Sequence, residues 1–218
     1  MNFKILIFTK IFIFFHLIIE KILQDKKKSI KWFTNHVFTN TLIVLMTYRD
    51  IINLLNCKEN CLELEQTGGI LKNDYVSPPE MIVSATSALH LYHVICFSNL
   101  RLIDYMHHYL MLVVLAMSYI FQAGCYQSMF MFFLSGLPGL IDYSLLALKV
   151  DRKTEKKINL YLNNYLRSPG IIFTTGLYWR DTTSINFWSI LIGYGLLFWN
   201  ATYFNLDVIR SYYTYTLK

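Results

Sequence analysis

Apolar runs as long as a lipid bilayer is thick constrain this chain more than any other feature. A hydrocarbon core of about 30 Å takes about 20 helical residues to cross, and Ile185 to Phe204 supplies 20 residues without one charge. Six further runs approach that pattern: Phe3 to Ile22, Trp32 to Tyr48, Met81 to Ser98, Tyr105 to Gln122, Ser128 to Leu148 and the short Ile171 to Trp179. Of the 218 residues 55% are hydrophobic and 16% charged, with mean hydropathy +0.37, against roughly 25% charged in an average globular chain. A soluble fold of this size could not hide so much apolar surface. The expectation is an all-α fold, a polytopic transmembrane helix bundle of six to seven spans.

The first run has a basic start and an apolar middle, as a signal peptide does, but Gln24, Asp25 and three lysines follow it in place of a small-residue cleavage site. It reads as an uncleaved anchor. The second is the most polar, because Asn35, His36 and Asn40 fall in its first half. Ser77, Pro78, Pro79 and Glu80 are good chemistry for starting the third. A tight turn is expected around Gly124, and a kink in the fifth run at Gly136, Pro138 and Gly139, since proline removes one backbone donor. Such a kink is tolerated at membrane depth only where protein or a cavity covers the freed carbonyl.

With alternating spans, 14 of the 20 Lys and Arg fall on one face, in residues 21–31, at Arg101, in residues 149–167 and at Arg210 and Lys218. The positive-inside rule makes that face cytosolic and the N-terminus lumenal. Glu59, Glu63, Glu65, Asp74 and Glu80 lie opposite. The net charge of +6 is thus accounted for by loops, and no basic and aromatic platform points to nucleic acid. Cys96 and Cys125 sit in apolar runs as small hydrophobes. Cys57 and Cys61 read as incidental thiols, a short-range disulfide or, least favoured, a metal pair.

Ionisable groups inside a membrane cost about 2.5 to 3.5 kcal/mol at its centre on insertion scales, so each asks for an explanation. His90 and His93 share a helical face of the third span. Asp104, His107 and His108 open the fourth, with the aspartate placed to reach either histidine or to cap the helix. Asp142 lies beyond the expected kink. The third and fourth spans are joined by a few residues and must be antiparallel neighbours, so the four histidines can meet around a polar cavity open to the cytosol. Singly, each histidine is better explained more plainly, His107 and His108 as a solvated interfacial pair and His90 and His93 by helix-to-helix hydrogen bonds; together at one depth they point as much to function. His16 and His36 have no such company and are taken as structural. Phosphate loops, serine elbows and HExxH pairs are absent, and six histidines are too few for the boxes of a di-iron desaturase.

The stretch Asp104, Tyr105, Met106, His107, His108 at the cytosolic start of a span resembles the TLC domain family, which includes TRAM and the ceramide synthases. The resemblance covers roughly Lys31 to Arg210. It divides the chain into residues 1–30, an N-terminal anchor and basic loop; 31–210, the multi-span domain; and 211–218, a cytosolic tail. The resemblance implies lipid synthesis, sensing or trafficking in the endoplasmic reticulum or a related host membrane, with membrane lipid and, in an acyltransferase, acyl-CoA as partners. Catalytic roles fall by analogy on His107, His108, Asp104 and Asp142, and substrate binding on His90 and His93. This reading takes no cofactor and no metal. The synthases' downstream acidic motif has no counterpart; Gly136 to Tyr143 occupies that region. Two alternatives stay open: a zinc-dependent intramembrane hydrolase of the alkaline-ceramidase type, built from three histidines and an aspartate, and a non-catalytic scaffold or receptor.

Overall fold

A computed structural model describes residues 3–55, 78–97, 100–120, 124–181 and 187–216. Cys57, Cys61 and the acidic residues from Glu59 to Asp74 lie outside them. The fold is all-α, with no strand among the described residues. Helix α1 spans Phe3–Ile22, α2 Lys28–Leu55, α3 Pro78–Cys96 and α4 Leu102–Ile120. Next comes a continuous rod of α5 (Gly124–Met131), a π-helical turn (Phe132–Gly136) and α6 (Leu137–Ala147). A second rod joins α7 (Arg152–Leu162), another π turn (Asn163–Arg167) and α8 (Ser168–Asp181); α9 spans Phe187–Thr216.

Local chemistry explains several of these limits. Pro78 and Pro79 occupy the first turn of α3, where a missing N–H costs nothing, beside Glu80. Gly124, expected in a turn, is the first residue of α5. Lys149 closes α6 in the left-handed region (φ 56°), and Val150 and Lys149 bond back to Leu145 and Leu146 in the arrangement usually built on glycine. The basic amphipathic stretch Lys149–Arg167, counted as a connecting loop with the sixth run beginning in the Asn163 to Pro169 region, is helical from Arg152 onward. Asp151 caps it by accepting from the Thr154 amide at 2.9 Å.

The two π turns share a cause. Leu137 N donates to Phe132 O and Ser168 N to Asn163 O, each five residues back. A proline and a glycine follow each turn: Pro138 and Gly139, Pro169 and Gly170. Pro138 cannot donate to Leu134 O, and that carbonyl instead accepts from Arg167 Nε at 2.9 Å. A side chain from one π turn thus covers the carbonyl freed in the other.

Packing brings α2 against α3 and α6, α1 against α3, α3 against α4, and α9 against α4 and α7. Ile43, Ile82, Met111, Leu115, Phe130 and Leu134 meet in one core. Helix α1 turns large apolar residues outward beside exposed Lys4, Lys10 and Lys21. Ile7, Ile11, Phe14 and Ile18, one stripe at helical spacing, are exposed, whereas Thr9 and His16 are buried with Ile5 and Phe12. Among the described residues, Tyr126–Ala147 is the one helical stretch both long and apolar enough to cross a membrane. Every 18-residue window of α1 holds at least three of Lys4, Lys10, Glu20 and Lys21, so this helix is too charged for that description.

Candidate functional site

Five residues of α2 at helical spacing, Trp32, His36, Thr39, Asn40 and Ile43, form one face, and that face lines a cavity of about 360 Å³. Gly139 lets α6 approach it, since a Cβ there would come within 2.6 Å of the Asn40 amide nitrogen. The rings on this side are stacked. Trp32 lies flat on His93, centroids 3.7 Å apart and planes 7° apart. His36 lies as flat on Tyr143 of α6, at 4.0 Å and 9°.

Helices α3 and α4 supply the rest of this wall. His90 sits on α3, and His107 and His108 on the second turn of α4; the short connection makes the helices neighbours. His90 Nδ1 and His108 Nδ1 are 2.6 Å apart. One ring nitrogen from each of His90, His107 and His108 lies within 4.8 Å of the other two. All three line the cavity. His90 and His108 are buried, and His108 Nε2 has no hydrogen-bond partner among the described residues; neither has His36 Nε2 nor either nitrogen of His93.

The opposite wall comes from α6, α7 and the second π turn. Arg167 donates through Nη1 to Asn163 Oδ1 at 2.6 Å as well as through Nε to Leu134 O. Asn163 Nδ2 in turn donates to Asn159 O at 2.8 Å and Oδ1 at 2.6 Å. Glu155, fully buried, sits between Lys156 at 3.3 Å and Arg152 at 3.2 Å. Asp142 lines the same cavity with its Oδ1 unbonded.

The residues singled out in the sequence are only partly brought together. His90, His107, His108, Asp104 and Asp142 all line the cavity. His93 does not; it stands behind the wall, under Trp32. Asp104 reaches back to Arg101 and not to a histidine, meeting its Nε and Nη2 at 3.0 Å and its backbone amide at 3.3 Å. Burial opposes ionisation of Asp104, which precedes the apolar run starting at Tyr105, but the bonds from Arg101 outweigh it and hold the carboxyl below the usual carboxylate range. Of the two histidines taken as structural, His16 is fully buried and bonded to Asn35 at 2.8 Å. His36 is part of the cavity wall. Its signal was present in the sequence as the polar stripe of α2. Arg167, Glu155 and Asn163 were missed because a cluster of basic residues reads as a solvated loop.

The chain matches no family model, no curated protein and no solved structure.

Proposed function

We propose that this chain is a multi-pass membrane protein that handles lipid in the manner of TLC-domain proteins, with the cavity between α2, α3, α4 and α6 as the place where a headgroup or acyl end is held. The observation that carries this reading is the outward apolar stripe of α1 together with the polar groups buried between the helices. An outward stripe such as Ile7, Ile11, Phe14 and Ile18 is an aggregation surface in water but an ordinary surface against acyl tails. Polar and ionisable groups turned inward are where intramembrane proteins keep their function. The lining combines apolar Ile43, Leu89, Met111 and Leu134 with imidazoles and fixed charges, which suits a molecule that is apolar at one end and polar at the other. In an acyltransferase of the ceramide-synthase type, His107 or His108 would take the proton from the acceptor's amine or hydroxyl as it forms the new bond to the acyl carbon of acyl-CoA, the C–S bond breaks, and the sulfur of the departing CoA takes up that proton.

Protein extracted from membranes in mild detergent should retain a defined lipid class, identified by mass spectrometry, and His107→Ala and His108→Ala should lose most of it. The reading falls if the chain is released from membranes by alkaline carbonate, or if wild type and variants carry the same bulk lipid mixture. For topology, a protease site placed near Thr154 should be cut from the cytosolic side; protection there reverses the orientation.

A further inference from the structure

We propose that His90, His107 and His108 bind a divalent transition-metal ion, zinc being the ion that suits them, and that the ion presents an open coordination position to the cavity. Three imidazole nitrogens within 4.8 Å of one another are the donor type and number that catalytic zinc sites use, the fourth position being left for water or substrate. Nitrogens at 2.0–2.1 Å around a tetrahedral ion stand about 3.3 Å apart. The His90–His108 pair, now at 2.6 Å, would open by less than an ångström, and His107 would close in.

His16 provides the internal control. As a buried histidine with a packing role it satisfies both ring nitrogens, Nδ1 with Asn35 at 2.8 Å and Nε2 with Thr39 at 3.5 Å. His108 is as deeply buried, yet its Nδ1 meets only another imidazole and its Nε2 meets nothing among the described residues. In any tautomer the pair leaves one ring nitrogen of His108, buried, without a partner among the described residues. Ligation through Nδ1 would replace this close imidazole-to-imidazole contact with a shared ion and put the proton on Nε2.

The lining also indicates what the ion would hold. Arg101, Lys156 and Arg167 balance Asp104, Asp142 and Asp207 around the cavity, and ligating imidazoles are neutral. A divalent ion therefore makes the cavity net positive, and its open position takes an oxygen from an anionic or carbonyl group. Asp104, bound to Arg101, is not a ligand. The site goes beyond the lipid reading and does not depend on it.

The test is metal analysis of the full chain in detergent, stripped with chelator and dialysed against micromolar zinc. About one zinc per chain is expected, and reloading with cobalt should give the visible absorption of a tetrahedral nitrogen-ligated ion. His36→Gln and His93→Gln should retain the metal. The combined His90→Gln, His107→Gln, His108→Gln variant should lose it. Should that variant lose helicity by circular dichroism, His107→Gln alone, at the least buried of the three ligands, should weaken zinc binding by more than roughly tenfold. Wild-type protein without bound zinc, retention by the triple variant, unchanged affinity in His107→Gln, or loss in His36→Gln or His93→Gln each overturns the assignment. Zinc content is read without any lipid assay, so wild type that retains a lipid but binds no zinc refutes the metal site and leaves the lipid reading standing.

Discussion

On the charged wall of the cavity, Arg167 commits its donors to Leu134 and Asn163, Asn163 passes the bonding on to Asn159, and Glu155 is held between two cations. On the histidine side, His36 and His108, with His93 behind the wall, keep ring nitrogens without partners among the described residues and press against aromatic faces instead. Both walls are buried and polar. A buried polar group left unbonded costs about 1 to 3 kcal/mol, so the bonded wall contributes structure while the unbonded one detracts from it. Groups kept at such a cost are the ones to suspect of touching a ligand. Asp142 Oδ1 and Glu155 Oε2 are exceptions on the charged side, each without a hydrogen-bond partner among the described residues.

Substitution tests the difference directly. The largest effect is expected for Arg167→Met, which leaves Leu134 O and Asn163 Oδ1 without their donor and should lower stability by about 3 kcal/mol or more. Thermal unfolding in detergent would show it, and a change under about 1 kcal/mol would mean that this wall is not the structural one. Gly170→Ala comes next. Its Cβ would run into the ring of Phe133, beside the meeting of the two π turns, and overpacking of this kind costs about 2 kcal/mol. For His36→Phe the expected sign reverses. The stack on Tyr143 survives and the unbonded Nε2 is gone, so the protein should gain about 1 kcal/mol while retaining less lipid. Loss of stability there would make the two walls alike. The smallest effect is at the cavity mouth, where Arg101 and Asp104 pair. A carboxyl held low when folded contributes stability above the unfolded carboxylate value of about 3.9 and loses it as pH falls through the lower folded value. Because Arg101 is exposed, the pair is worth less than about 1 kcal/mol, and Asp104→Asn should abolish its share of the acid dependence.

Much of this arrangement could be read from the residues, because local signals and short connections determine it. The limits of α1 follow from its apolar run, the start of α3 from Pro78 and Pro79, and the meeting of His90 with His107 and His108 from the short link between their helices. Other parts depend on tertiary packing that composition conceals. Asn35, His36 and Asn40 made α2 look like a poor span, although the same polarity marks its inward face. Lys153, Lys156, Lys157 and Arg167 gave residues 149–167 the look of a loop and hid Glu155 and Asn163, both buried. Asp104 was in reach of two histidines, but the guanidinium and amide of Arg101 satisfy it on its own helical turn.

The π turn at Phe132–Gly136 has an angular consequence for everything after it. One surplus residue in a helix shifts the azimuth of all later side chains by about 100°. Asp142 and Tyr143 reach the cavity under that offset, so they owe their heading to the spare residue as much as to their place along the chain. A one-residue deletion between Met131 and Pro138 would restore ordinary winding and keep both headings, whereas rewinding the turn as α-helix at its present length would swing Tyr143 away from His36. In this segment the wide turn absorbs one residue of length, and the winding of that turn, more than the identity of the residues in it, is what the site cannot lose.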